Sequence, residues 1–161
     1  SAQASGVAGA IVPDLLWEES REFADICRRE DFSLIQLVTP TTPRDRAIRI
    51  AERSMGFLYY VSVTGITGER AALPAELLDN VAWLRQRTAL PICIGFGIST
   101  PEHVRLLASV ADGLIVGSAF VRRIAAASHQ PRQEVLQDVG CLAKELLAAL
   151  HGSGTARASR P

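Results

Sequence analysis

Short apolar, β-branched runs alternate with stretches of helical periodicity along the chain. GAIVPD (9–14) predicts a strand that ends in a Pro-Asp turn. LLWEESREFADICRRE (15–30) predicts a helix with Leu16, Phe23, Ile26 and Cys27 on one side. FSLIQLVTP (32–40) predicts a second strand. TTP (41–43) reads as a cap and a first-turn proline for a helix over 44–54. FLYYVSV (57–63) predicts a third strand, followed by the loop TGITGERAALP (64–74) and a helix over 75–88. LPICIGF (90–96) predicts a fourth strand, and Ser99-Thr100-Pro101-Glu102 starts a helix that runs through Ser109. ADGLIVGS (111–118) predicts a fifth strand, then a short helix (119–127) and a longer one (128–152). The tail, 153–161, is small and polar and is expected to be disordered.

Strands that are nearly continuous apolar runs, separated by helices, predict a parallel sheet covered by helices. The fold class is therefore α/β, as an open doubly wound sheet or as part of a (β/α)8 barrel. A full barrel needs about 250 residues, and this chain has 161. About five strands over 1–152 amount to a partial barrel.

Composition narrows the function. Hydrophobic residues make up 48% and charged residues 21%, as in a soluble globular domain. Equal numbers of basic and acidic residues, 17 each, argue against a nucleic-acid or anionic-membrane surface. No apolar run approaches the roughly 18–20 residues of a membrane span, and no basic segment precedes an apolar one as in a signal peptide. The chain begins without Met and runs at once into a strand, which suggests an internal cut. Cys27, Cys93 and Cys141 are too scattered for a disulfide framework or a zinc site; each reads as a small buried apolar residue, in a reducing cytoplasm. His103, His129 and His151 read as surface or hydrogen-bonded side chains.

The candidate chemistry lies at three strand ends, SVTGITG, GFGIST and VGSAF. Glycine lets a backbone approach a ligand and point its N–H groups at it. A short helix starting at Ser118 would aim unbonded N–H groups at an anion. Glycine loops after the last strands plus a short helix match the recurrent phosphate site of barrels. The bland alternative is that the glycines only make tight turns.

GVAGAIVPDL with EES (6–20), LVTPTTPRDR (37–46), GFLYYVSVTGITGERAALP (56–74), LPICIGFGISTPEHV (90–104) and ADGLIVGSAFVRRI (111–124) resemble, in order and spacing, the tryptophan synthase α subunit. That resemblance implies strands 4–8 of an eight-stranded barrel. It implies a lyase of tryptophan biosynthesis, performing retro-aldol cleavage of indole-3-glycerol phosphate to indole and glyceraldehyde 3-phosphate. It also implies no cofactor on this subunit, with pyridoxal phosphate on a partner β subunit. By matching motif, Gly68, Gly97, Gly117 and Ser118 would hold the phosphate, with Ile98 and Ala119 as neighbouring backbone. Phe96 would line the indole pocket, Tyr59 at its strand end would point into the site, and Thr67 would close over the substrate. TGITGERAALP would be the lid, and Asp14 would help position the site or signal to the partner. The family's catalytic glutamate and aspartate fall before residue 1, so no catalytic residue is assigned and the chain alone is expected to be inactive. Glu18, Glu19 and Glu69 are set aside as substitutes. Another phosphate-binding barrel isomerase is disfavoured by YYVSVTGITG. The alternative function is a non-catalytic partial barrel that binds phosphate esters or docks on a β subunit. Open sheet edges would also permit self-association.

Overall fold

The computed structural model describes residues 2–62, 75–95 and 97–152. Six short parallel strands are arranged in chain order: β1 (Gly9–Ile11), β2 (Ser33–Ile35), β3 (Leu37–Val38), β4 (Leu58–Val61), β5 (Ile92–Gly95) and β6 (Gly113–Ile115). β1 pairs with β2, and β3-β4-β5-β6 form the second ladder. The helices are α1 (Arg21–Arg29), α2 (Arg44–Arg53), α3 (Ala75–Arg85), α4 (Pro101–Leu107), α5 (Ser118–Ala125) and α6 (Arg132–Gly152). This is the parallel α/β architecture of a partial barrel.

The run 32–40 is not one strand. It divides at Gln36, because the Gln36 N–H leaves the ladder for Ser54 Oγ at 3.0 Å. The Gln36 carbonyl still accepts the Tyr59 N–H at 3.0 Å. The first half of the run therefore pairs back to β1 and the second half forward to β4, and the strands form an arc of five positions.

Side chains alternate across a strand. Leu58, Tyr60, Ile92 and Ile94 point from β4 and β5 to the helices, joining Ile50, Leu77, Val81, Leu84, Leu107 and Leu142 in the main core. The opposite face carries Tyr59, Val61, Cys93, Gly95, Gly113 and Ile115, of which only Tyr59 and Gly95 are buried. The helix-facing side is thus finished, while the inner face is half open.

Helix 15–30 begins six residues later than its periodicity predicts. Trp17 is committed elsewhere: its Nε1 donates to the Arg49 carbonyl at 2.9 Å, and the Arg53 guanidinium stacks on its ring at 4.2 Å. Glu18 forms an ion pair with Arg46 at 2.9 Å. These contacts hold residues 15–20 against α2 as turns. On α1 itself Ala24 and Cys27 are buried, while Phe23 and Ile26, on the same apolar side as Cys27 by periodicity, are exposed, as is Leu16. The predicted threonine cap of α2 is also absent. Thr42 Oγ1 instead accepts the Thr39 N–H at 3.0 Å, and Pro43 is the capping residue. Thr100 does cap α4, accepting the His103 N–H at 3.3 Å ahead of Pro101. The long last helix starts at Arg132, after a 3-10 turn at Ala126–Ser128. The tail 153–161 lies outside the described residues.

At the N-terminal strand ends, the Asp112 carboxylate accepts the Ile92 N–H at 2.8 Å and sits 3.4 Å from Arg85. This staple lies at the opposite end of the strands from the glycine turns, on the side of a barrel that serves stability. Among the described residues, no helix is long and apolar enough to cross a membrane, and no cluster of metal-ligating side chains occurs.

Candidate functional site

The glycine turns after β5 and β6 are neighbours because their strands are. Gly95 registers with Ile115, and Gly97 and Gly117 each lie two residues beyond that pair. Gly97 has φ +75°, a left-handed conformation that favours glycine, so the backbone alone explains it. The next residue, Ile98, is buried and anchors the turn.

Gly117 is different. Its φ of −114° is negative, and a Cβ there would meet nothing within 4 Å. Among the described residues, neither a positive φ nor packing calls for a glycine at this position. Gly117 is the capping residue of α5, and its carbonyl accepts the Phe120 and Val121 N–H groups at 2.9 and 3.1 Å. Ser118 and Ala119 open the helix, so their N–H groups have no carbonyl one turn back. Ser118 is exposed and Ala119 is buried. The first turn contains no acidic residue that would compete with an anion for these groups.

Tyr59 is the second residue of β4 rather than its last, so the expectation of a strand-end tyrosine is corrected. Its ring nevertheless reaches up the inner face. A Cβ on Gly95 would lie 2.5 Å from Tyr59 Cζ and 2.8 Å from Cε1. Gly95 therefore exists to seat the Tyr59 ring one strand over. Burial pushes the Tyr59 phenol up, so it stays protonated at neutral pH and acts as a hydrogen-bonding group, not a base. Ser62, buried just past β4, fixes the same place: its N–H and O–H both donate to the Gly95 carbonyl, at 2.9 and 2.8 Å. SVTGITG begins at Ser62 and GFGIST at Gly95, but neither motif shows that Gly95 seats the Tyr59 ring or that Ser62 holds the Gly95 carbonyl.

The structure thus brings Gly97, Ile98, Gly117 and Ser118 to neighbouring strand ends, with the Tyr59 ring against Gly95 on the inner face. Thr67, Gly68, Phe96 and the loop 64–74 lie outside the described residues. Asp14 is exposed in the turn after β1. Glu18 forms an exposed ion pair with Arg46 away from the glycine turns, and Glu19 belongs to a charged depression along α1 with Glu22, Asp25 and Arg28. No glycine lines that depression.

The cysteines divide. Cys27 is buried as expected, Cys93 is half-buried on the inner face, and Cys141 is exposed, which overturns the buried reading for it. Burial raises the Cys93 thiol, with the Asp112 charge adding to it, so this thiol is poorly nucleophilic. His129 hydrogen-bonds Ser128 Oγ at 2.9 Å and His151 is exposed. His103 departs from expectation: its Nδ1 is out of solvent without a partner among the described residues.

Comparison with known proteins identifies the family and the fold. The family model for the tryptophan synthase alpha chain matches residues 1–151. The tryptophan synthase alpha chain of Rhodopirellula baltica is 62% identical over 144 residues, which cover 89% of this chain and 52% of that protein. That of Prochlorococcus marinus is 47% identical over 145 residues, again 89% and 52%. The crystal structure of the alpha chain from Legionella pneumophila superposes with a TM-score of 0.80 at 32% identity, covering 96% of this chain and 56% of that one. A chain from the tryptophan synthase a2b2 complex of Pyrococcus furiosus gives 0.79 at 35%, covering 91% and 58%. The chain spans about half the length of the curated relatives it matches.

Proposed function

The chain belongs to the tryptophan synthase alpha chain family, and on that premise we propose that it supplies the phosphate-binding half of a site that cleaves indole-3-glycerol phosphate to indole and glyceraldehyde 3-phosphate. The carrying observation is Gly117, which leaves open space at the head of α5 beside the Gly97 turn. In this reading the N–H groups of Ser118 and Ala119 donate to phosphate oxygens, and the α5 N-terminus adds its positive dipole end. The Gly97–Ile98 backbone closes the cradle from the neighbouring strand. Tyr59 borders the organic part of the substrate as a neutral hydroxyl. Gly68 joins the phosphate cradle, Phe96 the indole wall and Thr67 the lid.

Breaking the C–C bond requires a proton delivered to the indole ring carbon and another taken from a hydroxyl. These steps fall to a glutamate and an aspartate in the half of the family's length that this chain does not span. The chain alone binds the phosphate ester without turning it over. No cofactor takes part on this chain; pyridoxal phosphate belongs to the β subunit, the partner that receives indole. The named a2b2 complex of the Pyrococcus furiosus relative supports such a partner. A purified chain incubated with indole-3-glycerol phosphate, with and without a β subunit, should release no indole above background. Turnover would place the proton-transfer groups within these residues and overturn the division of labour.

A further inference from the structure

β4 and β5 end side by side, with Val61 in register with Gly95. Gly95 is the last residue of β5, and its carbonyl stands where the strand gives way to the Gly97 turn. That carbonyl accepts two hydrogen bonds from one residue. The Ser62 N–H donates at 2.9 Å and the Ser62 O–H at 2.8 Å. The hydroxyl bond is buried and joins residues 33 apart in sequence. By contrast, the hydroxyls of Ser20, Ser54, Ser109 and Ser128 each donate to a backbone carbonyl three residues away, the local bonding usual for serine. Ser62 is 1% exposed, so its hydroxyl acts inside the protein and not toward solvent.

A carbonyl oxygen has two lone pairs. A single hydrogen bond leaves its peptide plane free to rock; two bonds from different donor atoms hold it in one orientation. Packing of a side chain at Gly95 cannot do this, because the Tyr59 ring fills the place where a Cβ would stand. Two residues beyond the carbonyl comes Gly97 at φ +75°, and then buried Ile98. A rotation of the plane at Gly95 is therefore carried directly into the direction of the Gly97 and Ile98 N–H groups.

We propose that Ser62 is a positioning residue, whose hydroxyl fixes the Gly95 carbonyl and so holds the Gly97–Ile98 backbone ready for a phosphate oxygen. The inference rests on the phosphate reading of that turn. Ser62 does not touch the ligand; it acts through Gly95. Donors held in place beforehand bind without the cost of ordering them.

The test titrates glyceraldehyde 3-phosphate into the 161-residue chain and three variants, read by backbone amide NMR, with urea unfolding alongside. Ser62→Ala removes the O–H bond and keeps the N–H bond. It should weaken binding at least fivefold. In the ligand-free variant the Gly97 and Ile98 signals should move or broaden, while those of Gly117 and Ser118 stay in place. Ser54→Ala is the control for stability. It removes a buried hydroxyl at the start of β4 that donates to the Phe57 carbonyl and accepts the Gln36 N–H. It should lower the unfolding midpoint at least as much as Ser62→Ala and leave binding within twofold. Ser62→Cys offers a weak donor and should bind between Ser62→Ala and the unchanged chain; it carries the comparison if Ser62→Ala does not fold. Binding by Ser62→Ala or Ser62→Cys equal to that of the unchanged chain would overturn the proposal and leave the phosphate reading standing. Equal weakening in Ser54→Ala and Ser62→Ala would also overturn it, reducing Ser62 to a stability role. An unchanged chain whose Gly97 and Ile98 signals do not respond to the ligand would overturn the phosphate reading, and this proposal with it.

Discussion

Gly95→Ala is the sharpest test of how the inner face is built. The added Cβ would sit 2.5 Å from Tyr59 Cζ and 2.8 Å from Cε1, where ordinary carbon contacts are about 3.5–4.0 Å. Gly95 cannot retreat, since β4 and β5 are in register at Val61–Gly95 and Ser62 holds the Gly95 carbonyl twice. The clash therefore falls on a rigid ring that must leave its rotamer, a cost of about 1–3 kcal/mol. Tyr59→Phe should relieve only part of it, because it removes the hydroxyl, the nearest atom, while Cζ and Cε1 remain. Tyr59→Val removes the ring, and the double variant should be less destabilised than the sum of the single ones by about 1–3 kcal/mol. Urea unfolding followed by circular dichroism measures all four proteins. A cost for Gly95→Ala below about 0.5 kcal/mol, or simple additivity, would refute the idea that Gly95 is a seat for Tyr59.

Other consequences are direct. Asp112→Ala should cost about 1–3 kcal/mol in the same assay, because it orphans the Ile92 N–H and removes the partner of Arg85; a loss below half of that would assign the staple no role. Arg53→Lys should cost about 1 kcal/mol, since lysine cannot both stack on Trp17 and donate to its carbonyl, which Arg53 does at 3.0 Å; an unchanged midpoint would contradict this. A thiol reagent at neutral pH should modify Cys141 quickly and Cys27 and Cys93 slowly, because burial raises both of the latter thiols; two fast thiols per chain would place Cys93 in a more open setting.

Much of this was legible in the sequence, for identifiable reasons. Continuous apolar runs between helical patterns are the mark of parallel strands buried on both faces, and these gave the order of elements. Thr100-Pro101 is a start signal that owes nothing to tertiary structure, and Thr100 caps α4 as that signal predicts. Gly117 and Ser118 stood out because glycine and serine end a strand directly before a helix. The errors share a cause, side chains recruited by distant partners. Trp17 fits a helical period, yet Arg49 and Arg53 draw it onto α2. Gln36 sits inside an apolar run, and the polar residue there was the available sign of a break. Phe23 and Ile26 have the right spacing for a buried face, but periodicity shows only that a face is apolar, not that anything covers it. The Tyr59–Gly95 seat joins residues on different strands, which no local pattern can reveal.

The central claim is that α5 and the β5 turn form a phosphate cradle. The most direct measurement is a titration of the 161-residue chain with glyceraldehyde 3-phosphate, followed by backbone amide NMR at Gly97, Ile98, Gly117, Ser118 and Ala119. These five amides should shift together and saturably, and Gly117→Asp should weaken binding at least tenfold. Because a Cβ at Gly117 meets nothing within 4 Å, that variant should leave the rest of the spectrum in place. Shifts confined to other residues, or binding unchanged in Gly117→Asp, would contradict the claim.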